Sequence, residues 1–114
     1  MINLKKAKSL AMDLARESGR VLINNLRRIK ITEIKDKQDF CTNMDLRIEK
    51  LIIKGIHKAY PDHNILSEEI GEINKGSDYH WVIDPIDGTK HFIKNIPLFT
   101  VSIALQYKKE IVMG

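Results

Sequence analysis

The sequence predicts an α+β fold, two helices followed by a mainly antiparallel sheet. Three observations carry that expectation. Small or apolar residues recur at helical spacing from Leu4 to about Leu26, at Ala7, Leu10/Ala11, Leu14/Ala15, Ser18 and Val21/Leu22. A second helical run, at Leu46, Leu51/Ile52, Gly55/Ile56 and Ala59, is stopped by Tyr60-Pro61, because proline disfavours a helical residue before it. Further on, Phe99, Val101, Ile103 and Leu105 alternate with Thr100, Ser102, Ala104 and Gln106, the period of a half-buried strand.

Each element has a local reason. Asn3 is placed to cap the first helix, and Gly19 weakens that helix without ending it. Ile29 to Lys35 is expected as an extended connector, and Lys35 to Asp39 as a polar loop. Thr42 with Asp45 then has the form of a capping box opening the second helix, aspartate replacing the usual glutamate. Asn64-Ile65-Leu66 is a short apolar strand leading into Ser67-Glu68-Glu69, and Gly71 to Tyr79 is a polar loop. Trp81-Val82-Ile83 forms the next strand, expected to end at or just before Pro85, which cannot donate to a ladder. Thr89 to Ile93 is expected as one helical turn. Lys108-Lys109-Glu110 reads as a hairpin turn, with Ile111-Val112-Met113 as the returning strand.

Composition narrows the function classes. A chain of 114 residues supports one domain with a single core, and 43% hydrophobic with 30% charged residues argues against disorder. The net charge of +4 comes from basic residues spread along the helices and mixed with acids. That pattern is a solvated helical face rather than a nucleic-acid groove, although it favours weak attraction of phosphorylated substrates. Cys41 is the only cysteine, which excludes an internal disulfide and a cysteine metal cluster. No apolar stretch has the length of a signal peptide or a membrane span, so no membrane partner and a cytoplasmic location are expected.

The chemistry concentrates in Trp81-Val82-Ile83-Asp84-Pro85-Ile86-Asp87-Gly88-Thr89. Asp84 and Asp87 stand three apart after a strand, where they repel unless a cation lies between them. Hard oxygen donors favour magnesium over zinc. The backbone N–H groups of Gly88 and Thr89 would face the same spot and suit a phosphate. Glu68, directly after the preceding strand, adds a third acid to a shared cation cluster. The competing readings are an Asp-Pro-x-Asp-Gly turn capped by its own side chains and a Glu68-Glu69 pair that simply faces water. His57, His63, His80 and His91 show no ligand spacing; His91 is nearest the turn, within reach of a substrate.

Three ordered blocks carry a family resemblance. Asp84-Pro85-Ile86-Asp87-Gly88-Thr89 resembles the signature of the inositol monophosphatase family of magnesium-dependent phosphatases. Lys35-x-x-x-Asp39-Phe40-Cys41-Thr42-x-x-Asp45 is similar to its Lys…Asp-x-x-Thr-x-x-Asp segment, and Ile65-Leu66-Ser67-Glu68-Glu69 to its strand ending in Glu-Glu. The resemblance implies the layered αβαβα sandwich of sugar phosphatases. It implies Mg2+ held by Glu68, Asp84, the carbonyl of Ile86 and Asp87, with Asp84 bridging two ions. Glu68 also counts among the catalytic residues. Thr89 would orient a metal-activated water, Asp45 would polarise Thr89, and Gly88 with Thr89 would bind the phosphate.

The implied reaction is hydrolysis of a small sugar or polyol phosphate such as inositol monophosphate. A 3′(2′),5′-bisphosphate nucleotidase of the same superfamily is the alternative, favoured by Lys90 and Phe92; the short Glu69 to Asp84 interval and Ile96-Pro97-Leu98-Phe99 favour the phosphatase. Family members are longer, with a Trp-Asp-x-Ala-Ala-Gly-like segment that these residues lack. Residues 1–114 are therefore expected to be an N-terminal, metal-binding half with low or no activity of its own. A non-catalytic interaction protein akin to bacterial transcription-associated relatives is the other alternative. Relatives are commonly homodimers, so the resemblance also implies a homodimer.

Overall fold

Asn3 begins the first helix as expected. Its Oδ1 accepts the N–H groups of Lys5 at 3.0 Å and Lys6 at 3.3 Å, satisfying donors that a helix start leaves open. Helix α1 spans Leu4–Ile31 and buries Ala7, Ala11, Leu14, Ser18, Leu22 and Asn25 along one stripe. The two polar members satisfy themselves on the preceding turn: Ser18 Oγ donates to the Leu14 carbonyl and Asn25 Nδ2 to that of Val21. In this computed structural model the backbone is described for residues 2–31, 37–87 and 100–114, and side chains for residues 2–25, 45–84 and 101–114.

The helices run longer than the sequence reading placed them. α1 continues through Ile31, where a connector was expected from Ile29. β-Branched residues cost only a few tenths of a kcal/mol in a helix, and propagation past an established helix is easy. Helix α2 spans Lys37–Ala59, so Lys37 to Asp39 are helical rather than loop, and Thr42 and Asp45 lie inside the helix rather than capping it. Lysine and glutamine are good helix formers, and they extend the helix across a capping-box pattern. Its end falls at Ala59, before Pro61, as predicted. The helices approach closely at Gly55, where a Cβ would stand 2.3 Å from Leu14 Cδ2.

Five strands follow: β1 (Asn64–Ser67), β2 (Gly71–Ile73), β3 (Tyr79–Asp87), β4 (Thr100–Tyr107) and β5 (Glu110–Met113). They form one sheet in the order β2-β1-β3-β4-β5. The sheet is mixed, since β1 and β3 run parallel while the other three pairings are antiparallel. Ile65, Trp81 and Leu105 are neighbours across the sheet, as are Ile83 and Ile103, and all five are buried in one core with the helices. On the opposite face Leu66 is half-exposed.

Two strand expectations need correction. β3 does not stop at Pro85 but runs to Asp87. β1 pairs only as far as Ile83, so among the described residues β3 has no neighbour on that edge at Pro85, and a missing N–H facing it would cost nothing. Two residues of β3, from Pro85 to Asp87, then match one step of β4, from Val101 to Thr100, which makes a bulge at Ile86. Within the loop expected from Gly71, β2 pairs with β1 through Ile65↔Ile73 and Ser67↔Gly71. A three-residue edge strand shows too little alternation to be read from sequence.

The hairpin at Lys108-Lys109 is as expected, both residues having positive φ (49° and 70°), the geometry of a tight two-residue turn. The expected helical turn at Thr89 to Ile93 lies outside the described residues, and no described helix is long and apolar enough to cross a membrane.

Candidate metal centre

The acids meet because of the parallel register. Ser67, the last residue of β1, is paired with Ile83 of β3, so Glu68, just past the end of β1, comes beside Asp84, which stays in β3 paired with Ser102 of β4. They line one shallow depression with Leu66, Ser67, Val82 and Ile83. A hydrogen bond between the Glu68 and Asp84 side chains, then the Asp84 charge, hold the Glu68 carboxyl above its ordinary value. Burial and the charges of Glu69 and Glu49 act in the same direction. Two carboxylates this close repel each other unless a cation joins them.

Helix α2 supplies two more acids, one turn apart. Asp45 is partly buried, and its pKa is raised from 3.8 to about 6 by desolvation, then by the charges of Glu69, Glu68, Glu49 and Asp84. Its Oδ1 is buried and has no hydrogen-bond partner among the described residues. Glu49 is fully buried, and both of its carboxylate oxygens accept the backbone N–H of Glu69, at 2.9 and 3.1 Å. Among the described residues the sole ion pair, Arg16–Asp13, is on the exposed side of α1 and neutralises none of these acids.

The donor set suits a hard divalent cation: carboxylate oxygens, with no thiol or imidazole among them. Among the described residues no three acid, histidine or cysteine side chains close around one point as a ligand set. Glu68 and Asp84 are brought together as the sequence predicted. Asp87 lies at the end of β3, but its side chain, like that of Ile86, is outside the described residues, as are Gly88, Thr89, Lys90, His91 and Phe92. Helix capping, the competing role for Asp45, is ruled out by its position more than two turns inside α2.

Sequence reading missed Glu49. The signal was present: an acid on the buried stripe formed by Ile48, Ile52 and Ile56 is anomalous unless something specific pairs it. His63 is not a ligand either. It lies between the Tyr60 and Tyr79 rings, with centroids at 4.6 and 4.7 Å, and accepts the Trp81 indole N–H at 3.0 Å.

Helices layered on a mixed sheet, with acids gathered beside the parallel β1–β3 pair, define a layered α+β chain with a candidate metal centre. The fold is similar to that of the inositol monophosphatase from Anabaena, with a TM-score of 0.77 and 31% identity over 96% of this chain and 38% of that one. The chain belongs to the inositol monophosphatase family, whose sequence profile matches residues 3–114. It is 41% identical over 105 residues to the Nus factor SuhB of Pseudomonas aeruginosa, covering 88% of this chain and 39% of that protein. It is 40% identical over 116 residues to the fructose-1,6-bisphosphatase/inositol-1-monophosphatase of Aquifex aeolicus, covering 100% of this chain and 44% of the relative. The chain thus spans about two fifths of the length of these relatives.

Proposed function

We propose that this chain forms the metal-binding part of a magnesium-dependent phosphatase acting on a small phosphate monoester such as inositol monophosphate. The observation that carries the reading is the meeting of Glu68, just past the end of β1, with Asp84 of the parallel strand β3, together with a buried Asp45 oxygen that has no partner among the described residues. Glu68, Asp84 and Asp87 would hold the ions, and the bulge at Ile86 takes that residue out of regular strand pairing, which leaves its carbonyl available as a further ligand. Bound magnesium supplies Lewis-acid stabilisation of the phosphoryl group and a more acidic water. Thr89 orients that water, Asp45 accepts the Thr89 hydroxyl proton in a hydrogen bond, and the N–H groups of Gly88 and Thr89 hold phosphate oxygens. Assaying phosphate release from inositol 1-phosphate and from adenosine 3′,5′-bisphosphate, with and without Mg2+, tests the reading and its nucleotidase alternative. Metal-independent release, or none from either ester by a protein carrying this chain and its family's second half, would overturn it. Thr89→Ala should lower kcat more than it raises KM.

A second reading has its own support, because a relative 41% identical to this chain bears the name Nus factor. Here the chain would act through a protein surface rather than through catalysis. A protein partner retained by Asp84→Asn as well as by the parent would favour it.

A further inference from the structure

We infer that Glu49 is the positioning residue of the acid cluster. This rests on the metal-centre reading above and adds a residue to it that touches neither ion nor substrate. Glu49 is 0% exposed, and the desolvation of a carboxylate is tolerated only where strong acceptor bonds compensate. The compensation here is the Glu69 backbone N–H, met by both oxygens. Glu69 follows the proposed ligand Glu68 in the chain, at the point where β1 has ended and no ladder bond holds the backbone. Glu49 therefore ties the chain leaving β1 to helix α2 and sets the direction in which Glu68 projects toward Asp84.

A carboxylate in this place performs two separable tasks. It accepts a bond from Glu69, and it adds negative charge beside Asp45 and Glu68, which both feel it. The positioning role belongs to the first task. Glutamine at 49 keeps the side-chain length and one acceptor oxygen while removing the charge. Aspartate keeps the charge and withdraws the acceptor by one methylene. The two conservative variants thus predict opposite orders.

The test uses the 114-residue chain, Glu49→Gln and Glu49→Asp, with Mn2+ as the probe for a divalent ion, followed by its electron spin resonance. Exchange of the Glu69 amide hydrogen is measured by NMR on the same samples without metal. Glu49→Gln should keep Mn2+ affinity and Glu69 protection within about threefold of the parent. Glu49→Asp should weaken the affinity and speed the exchange by about tenfold or more, in the range that supporting contacts around a metal contribute. The reverse order would overturn the assignment and make Glu49 a purely electrostatic contributor. Parental affinity and protection in both variants would also overturn it, leaving a packing role alone. If the parent binds no Mn2+, the metal-centre reading fails. The amide exchange then decides the Glu49 assignment by itself: faster exchange in Glu49→Asp alone supports it, and equal rates refute it.

Discussion

At its start β3 enters a stack of rings; at its end it runs into carboxylates. Around Tyr79 and Trp81 the polar groups of the rings bond within the fold, although the nearby His57 Nε2 is buried without a partner among the described residues. His63 is sandwiched by Tyr60 and Tyr79, Trp81 donates to His63, and Tyr79 packs at a tilt against Tyr107 while its hydroxyl accepts the Ile2 N–H. Asn64 closes the neighbouring loop through the N–H groups of Lys75 and Ser77 and the Ser77 carbonyl. Around Asp84 like charges are gathered, and one buried oxygen, Asp45 Oδ1, has no partner among the described residues. One strand therefore carries stabilising packing at one end and stored repulsion at the other. Repulsion of that kind is useful where a cation is to be bound, and stability is spent for it.

Substitutions should separate the two ends, beginning with the largest effect. In a protein carrying this chain and its family's second half, Asp84→Asn should lower magnesium-dependent phosphate release by at least about 100-fold, beyond the ~10–100-fold typical of groups that only support a ligand. Retained turnover at ordinary magnesium would break the assignment of Asp84. Trp81→Ala, at the other end, should destabilise the fold by about 3–5 kcal/mol in denaturant titration, as expected for a fully buried aromatic. The same titration on metal-free Asp84→Asn should show an unchanged or higher midpoint, by no more than about 1 kcal/mol, because exposure screens the repulsion. A clear loss of stability there would mean that Asp84 is structural.

The two ends should also answer pH in opposite senses. Asp45 binds its proton more tightly in the folded chain, at about 6 against 3.8. Its contribution to stability is full below pH 3.8 and is lost as pH rises through about 6. His63 is the reverse case. Burial lowers its pKa below 6.5, Asp62 opposing and His57 adding to the shift. Its contribution is present above pH 6.5 and lost as pH falls through the folded value. In metal-free protein, Asp45→Asn should remove the decline in melting temperature between about pH 4 and 6, and His63→Gln should flatten the acid-side loss. Unchanged pH profiles in both would dissolve the contrast. The smallest effect is expected at Lys109, whose φ of 70° suits glycine, so Lys109→Gly should change stability by under about 1 kcal/mol in the favourable direction.

Local chemistry made much of this legible in advance. Helical spacing, the Asn3 cap, the stop before Pro61, the alternation after Phe99 and the Lys108-Lys109 turn are properties of short segments, and all of them stand in the structure. The acids Glu68 and Asp84 were visible for the same reason, as polar residues following short apolar runs. What remained hidden depends on partners distant in the chain. The extension of β3 past Pro85 requires knowing that β1 has already stopped at Ile83 and that a bulge absorbs the extra residue. The parallel pairing of β1 with β3 decides that Glu68 and Asp84 come side by side, and no periodicity records strand order. Glu49 looked like one more charge on a helix until Glu69, 20 residues away, was found to donate its N–H to it. The sequence by itself determined most of the helix and strand segments and which residues carry the acids, because propensity and periodicity act over a few residues. Tertiary structure alone decided which acids share a site and what holds them there, because hydrogen bonds and charge repulsion act through space.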